Sequence, residues 1–135
     1  MNLNPEQAHA KAQSYCAYQE RCQQEVRYKL YQWGLAPEAA EELISRLVTE
    51  NFLNEERFAI AFAGGKFRIK KWGPVKIRLE LKKRKISDYC IKQGMKEIPY
   101  TDCIKTLKKL LKEHGPKYAI SRGFETEMVW ELLRK

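Results

Sequence analysis

A chain of 135 residues with 26 Lys+Arg, 17 Asp+Glu and a formal net charge of +9 is expected to form one compact domain or a short array of small units sharing a core. It contains no apolar run of about 18 residues, the length a membrane span requires, and its polar start, MNLNPEQAHAKAQ, has no signal-type apolar stretch. These features argue against a spanning or secreted protein and for a cytoplasmic one with no membrane role.

In chain order, Ala, Glu, Gln, Lys, Arg and Leu dominate most segments, and stop signals recur at short intervals, so the elements read as helices. A first helix is expected from about Pro5 to Glu20 and a second from about Gln23 to Trp33, stopped by Gly34 in a left-handed C-terminal turn. Pro37 opens a third, in which Ala39, Ala40, Leu43, Ile44, Leu47 and Val48 give the stripe of a buried helical face ending near Asn51. Asn54 caps the next, with Glu55 and Glu56 in the first turn, where they complement the helix dipole. Phe58, Ala61, Phe62 and Ile69 are expected on its inner face, with a kink at Gly64-Gly65. Gly73-Pro74 ends that helix and starts another. Further on, Ser87 caps a helix to about Lys96, Thr101 caps one to about His114, Pro116 starts a short one before Gly123, and Glu125 to Leu133 closes the chain.

The segment Val75 to Leu81 alternates apolar and polar residues, as a half-buried strand would. An internal repeat decides for helix. A displacement of 51 residues lays Val26, Arg27, Leu30, Leu35 and Ala40 on Ile77, Arg78, Leu81, Ile86 and Ile91, and one of 89 lays Gly34, Leu35, Leu43 and Ile44 on Gly123, Phe124, Leu132 and Leu133. A helical period of this size marks a stacked array in which no unit buries its apolar face alone. The expected fold is all-α: three tandem three-helix repeats, at about 5–52, 54–98 and 100–135.

The charge is concentrated. From Lys66 to Lys85 stand ten basic residues (Lys66, Arg68, Lys70, Lys71, Lys76, Arg78, Lys82, Lys83, Arg84 and Lys85) against the single acid Glu80, a balance of +9, while the remainder of the chain carries 16 basic and 16 acidic residues. Such a segment suits a polyanionic partner, nucleic acid or an acidic protein surface; the plainer alternative is a solvated lysine-rich face. Trp72 interrupts the run and is a candidate for stacking on bases, whereas Trp33, Trp130, Tyr28 and Tyr31 are expected to serve as core or inter-helix wedges.

Catalytic motifs are missing. Gly64-Gly65-Lys66 lacks the flanking pattern of a phosphate loop, since Ile60 and Phe67 stand where Gly and Ser or Thr belong. Cys16, Cys22, Cys90 and Cys103 include no C-x-x-C pair, and His9 and His114 complete no zinc spacing, so reduced structural thiols are expected and no metal, cofactor or enzyme activity.

The stretch ENFLNEERFAIAFAGGKFRIKKWGPVKIRLELKKRKIS, from Glu50 to Ser87, resembles the RecX family, regulators of the bacterial recombinase RecA, in its Phe-Ala helix, basic stretch, Gly, and Ile-Arg-x-x-Leu helix. CQQEVRYKLYQWGL from Cys22 and SRGFETEMVWELL from Ser121 are similar to the family's first and third repeats. The resemblance implies an elongated, curved right-handed helical array. It also implies a monomer that binds in the groove of the RecA filament on single-stranded DNA and inhibits its ATPase, strand exchange and co-protease activities. Of site residues it supports only the basic residues of the second repeat; Trp72 joins them as a candidate on the residue pattern alone. Stand-alone nucleic-acid binding through that repeat is the alternative. Gly115-Pro116 departs from the family pattern and implies a shortened third repeat.

Overall fold

The computed structural model describes residues 2–135, and every regular element among them is helical. Nine α-helices follow in order: α1 (Pro5–Tyr18), α2 (Gln23–Gln32), α3 (Pro37–Thr49), α4 (Glu55–Gly65), α5 (Pro74–Lys83), α6 (Asp88–Met95), α7 (Tyr100–His114), α8 (Pro116–Ser121) and α9 (Thr126–Arg134), with a π-helical turn, Lys66–Lys70, continuing α4. They pack in threes: α1, α2 and α3 on one another, α5 on α6 and on the π turn, and α7, α8 and α9 on one another. By its contacts the chain forms two compact units, one through Phe58 and one from Ala59 to Lys135.

The repeat fixes equivalent core positions. Leu30, Leu81 and Ala119 are fully buried at the same point of the second helix in each triplet. That helix ends each time in a residue with positive φ: Gly34 (89°), Lys85 (63°) and Gly123 (97°). The next amide bonds back to the buried position, Leu35 N to Leu30 O at 3.0 Å, Ile86 N to Leu81 O at 3.2 Å and Phe124 N to Ala119 O at 3.2 Å. This left-handed stop satisfies carbonyls that the helix end would otherwise orphan, and it turns Leu35, Ile86 and Phe124 into the core. Ala40, Ile91 and Val129 complete the pattern on the third helices. The second helix of the last triplet, α8, has 6 residues where α2 and α5 have 10, about one helical turn fewer.

The alternating segment Val75 to Leu81 is helical, as the repeat demanded. Ile77 and Leu81, four apart, are buried, whereas Val75 and Leu79 are 46% and 52% exposed. Asn54 caps α4 through Oδ1, which accepts from Arg57 N at 2.8 Å, and Ser87 Oγ caps α6 by accepting from Cys90 N at 3.3 Å.

Five expectations need correction, the first being Val48, which is 44% exposed while Ala40, Leu43, Ile44 and Leu47 form the buried face of α3. The inner face of α4 and its extension is Phe58, Ala59, Ala63 and Phe67, while Ala61 is exposed and Ile69 is 77% exposed. Spacing is the reason: Ala59, Ala63 and Phe67, four apart, share the core side, and Ala61 and Ile69, each two residues from one of them, face away. Thr101 is not a cap, because α7 already begins at Tyr100, with Pro99 O accepting from Cys103 N at 2.9 Å. Tyr28 and Tyr31 are surface residues rather than wedges, because Val26 and Leu30 already fill the buried face of α2. Trp130 is exposed too, with Val129 beside it taking the core position.

In the first unit a buried histidine ties α1 to α3. His9 Nδ1 lies 3.3 Å from the Arg46 guanidinium, and His9 Nε2 is hydrogen-bonded to Glu50 Oε1 at 2.7 Å. This bond is the first cause of a Glu50 pKa below the usual carboxylate value. The four cysteines are buried and none forms a disulfide among the described residues. Burial pushes the Cys16 thiol up to about 11, which makes it an inert core residue rather than a nucleophile.

Candidate functional site

The basic run folds into the π turn, a short connection and α5. A glycine stands at each end of this piece, and only the second is required there. Gly65 has helical φ and ψ with open space where a Cβ would be. Gly73 lies against backbone: a Cβ there would come within 2.5 Å of Gly123 O. That approach allows Gly73 N to donate to Arg122 O at 2.7 Å and Val75 N to Gly123 O at 2.9 Å, so the start of α5 is fixed to the turn after α8.

On α5 the cations sort by direction. Lys76, Glu80 and Arg84, four apart, are half-buried along one flank. There Phe62 and Trp72 form an edge-to-face pair with ring centroids 6.2 Å apart. Lys66 Nζ lies 5.0 Å and Lys76 Nζ 4.6 Å from the Trp72 ring centre, and the Arg84 guanidinium lies 4.8 Å from that of Phe62. These aromatic faces hold the cations in place without neutralising them. Arg84 also donates to Glu80 O at 2.9 Å and to Glu80 Oε1 at 3.1 Å, and Lys83 reaches Glu80 Oε2 at 3.2 Å. The bond from Arg84 and then that from Lys83 hold the Glu80 carboxyl below its ordinary pKa.

The opposite side of α5 is open. Arg78 and Lys82, four apart, are exposed beside Val75 and Leu79. Among the described residues Lys66, Lys70, Lys71, Lys76, Arg78, Lys82 and Lys85 make no ion pair; Arg68 approaches Glu97 at 3.8 Å. Two of these lysines occupy backbone that glycine favours, Lys71 at φ 59° and Lys85 at φ 63°. At the position of Lys85 both other triplets use glycine. A cation kept there at a cost of roughly 1 kcal/mol is hard to explain by folding alone.

The structure adds residues that the sequence reading set aside. A cleft of about 220 Å³ is lined by Phe67, Arg68, Lys71, Asp102, Lys105 and Thr106, which brings α7 to the π turn. The signal was the spaced lysines Lys105, Lys108, Lys109 and Lys112, hidden inside an overall balance of zero for everything outside the central run. The two units separate what that balance merged: the first carries six basic and nine acidic residues (net −3), the second 20 basic and eight acidic (net +12). Among the described residues no group of His, Cys, Asp and Glu could hold a metal ion, and no helix is long and apolar enough to cross a membrane.

Two family models match successive parts of the chain: the first three-helix domain of RecX over residues 8–47, and the second over residues 54–95. The chain belongs to the RecX family. Regulatory protein RecX of Prosthecochloris aestuarii is 29% identical over 136 residues, covering 91% of this chain and 89% of its own length. The RecX of Lactobacillus johnsonii is 31% identical over 124 residues, but the match spans only 45% of that longer relative; for Thermotoga petrophila the figures are 29% and 77%. In fold, the crystal structure of RecX from Lactobacillus salivarius superposes with a TM-score of 0.79 at 18% identity, over 96% of this chain and 94% of that one. A second crystal structure of regulatory protein RecX gives 0.82 at 17% identity, over 96% and 72%.

Proposed function

We propose that this chain is a non-enzymatic regulator of the RecA recombinase. It acts in the cytoplasm as a monomer, docks on the RecA filament formed on single-stranded DNA, and inhibits filament ATPase, strand exchange and co-protease activities. The second repeat, at about 54–98, carries the docking cations. The observation that supports this most directly is the open side of α5, where Arg78 and Lys82 stand exposed and, among the described residues, in no ion pair, in a unit of net charge +12. Cations left unneutralised beside exposed Val75 and Leu79 suit a partner that offers both negative charge and apolar contact.

The test is the DNA-dependent ATPase rate of the cognate recombinase, titrated with this protein at fixed salt and with single-stranded DNA in excess. A fall in rate at protein concentrations well below the DNA supports docking on the filament, since competition for free strand is then negligible. An unchanged rate removes the proposal. The double reversal Arg78→Glu/Lys82→Glu should abolish the inhibition while leaving the fold intact, because both side chains are exposed.

A second reading, free nucleic-acid binding, draws on the cleft where Arg68 and Lys71 of the second repeat meet Lys105 of α7, three cations against one acid, Asp102, a balance that suits a phosphodiester. Trp72 gives it less support than its place in the sequence suggests. Lys66 and Lys76 already lie over the ring, so a stacking base would have to displace one of them. This reading requires measurable affinity for single-stranded DNA without RecA, falling by about 0.7 log units per neutralised phosphate for each decade of salt.

A further inference from the structure

The 51-residue offset superimposes two outer faces as well as two cores. Val26 and Leu30 on α2 correspond to Ile77 and Leu81 on α5, and all four are completely buried. The exposed positions therefore correspond too: Tyr28 stands where Leu79 does and Tyr31 where Lys82 does. Tyr28 is 63% and Tyr31 43% exposed, and being three apart they share one side of a 10-residue helix. Arg27, the counterpart of Arg78, lies bidentate on Glu41, with Nε to Oε2 at 2.6 Å and Nη2 to Oε1 at 2.9 Å. The α2 face is thus an aromatic pair beside a neutralised arginine, in a unit whose net charge is −3.

We infer that the Tyr28–Tyr31 face of α2 is a second docking surface, and that its partner is protein: an uncharged, apolar patch on a subunit of the same filament that α5 engages. The inference rests on the proposed function. Charge decides between the classes of partner. A phosphate backbone would meet an acidic unit whose one arginine on this face is already paired, whereas tyrosine offers large, stiff, amphipathic contact area at low entropic cost and is enriched where proteins bind proteins. A filament repeats one subunit surface many times, so a second face can add avidity through effective concentration alone.

The double variant Tyr28→Ser/Tyr31→Ser tests this in the full chain, with Tyr28→Phe/Tyr31→Phe as the control that keeps the rings. In the ATPase titration the serine variant should need at least about tenfold more protein for half-inhibition, the phenylalanine variant should match wild type, and all three should bind free single-stranded DNA equally. An unchanged midpoint for the serine variant overturns the inference. So does a parallel loss of free DNA affinity, which would make the tyrosines a base-stacking platform, or a wild-type dimer in sedimentation that the serine variant abolishes, which would make the occupant a second copy of this chain. Failure of wild type itself to inhibit would sink the proposed function, a result distinct from wild-type inhibition that the tyrosine changes leave untouched.

Discussion

Helices α2 and α5 are the same structural solution put to different electrostatic use. Both bury two residues four apart, both end in a left-handed stop, and both hand the chain to a third helix through a buried apolar residue, Leu35 or Ile86. They diverge at the neighbour of one arginine. Arg27 has Glu41 on α3; the residue 51 positions after Glu41 is Lys92 on α6, and Arg78 has no ion pair among the described residues. The same offset replaces Glu38 with Tyr89 and Glu42 with Gln93. None of these three positions is acidic on α6, whose one acid, Asp88, stands where α3 has Pro37. The contrast shows how a repeat can hold its core constant while the charge of its outer faces diverges.

The largest effects should fall on what the two share. Leu30→Ala and Leu81→Ala remove equivalent, fully buried side chains. Each should cost about 2–5 kcal/mol, read as a fall in the denaturant midpoint. If one were tolerated with less than about 1 kcal/mol lost, the equivalence of the two cores would be wrong.

Next comes what they do not share. Lys92→Glu should give Arg78 the acidic neighbour that Arg27 has, cancelling one docking cation and introducing a negative charge. The expected result is a several-fold loss of filament inhibition. For any direct binding of single-stranded DNA, the slope of log affinity against log salt should shrink by about 0.7 if Arg78 meets a phosphate. An unchanged inhibition midpoint would mean that α5 docks without Arg78.

Much of this comparison was legible in the sequence, and the reasons are physical. Helix identity in Val75 to Leu81 could be read because the repeat carried information that local alternation contradicted, and Ile77 and Leu81 then fell into place. The stops at Gly34 and Gly123 were legible because glycine advertises positive φ; Lys85 at the same position does not. The outward position of Ile69 was hidden because the inner face is marked by small residues, Ala59 and Ala63, whose burial no large hydrophobic side chain announces. The charged surface was half visible. Its central run stood out, but Lys105 reaches the cleft by Arg68 and Lys71 only through tertiary packing, and the acidity of the first unit disappeared into a chain-wide balance.

Lys85→Gly separates folding from function at one residue. The left-handed backbone at φ 63° costs a lysine roughly 1 kcal/mol that glycine does not lose. The variant should melt about 3–5 °C higher. If Lys85 serves the docking surface, the same variant should inhibit the filament less well despite its greater stability. A more stable protein with full inhibition would assign Lys85 no role there.

The smallest expected effect is acid titration of the Arg27–Glu41 pair, and it tests the comparison from the other side. The hydrogen bond from Arg27 holds the Glu41 carboxyl below its ordinary pKa. A carboxyl depressed in the folded state stabilises above its unfolded pKa of about 4.3, and that contribution is lost as the pH falls through the folded value. Both side chains are partly exposed, at 32% and 53%, so solvent screening keeps the pair to about 0.5 kcal/mol. Glu41→Gln should therefore be slightly less stable than wild type at pH 6 and indistinguishable from it near pH 3. Lys92→Glu should move the same acid-labile increment into the second unit, gaining about 0.5 kcal/mol at pH 6 and losing it on acidification. If Lys92→Glu gains nothing at pH 6, α6 does not present residue 92 to Arg78 as α3 presents Glu41 to Arg27, and the difference between the two helices lies in geometry as well as in charge.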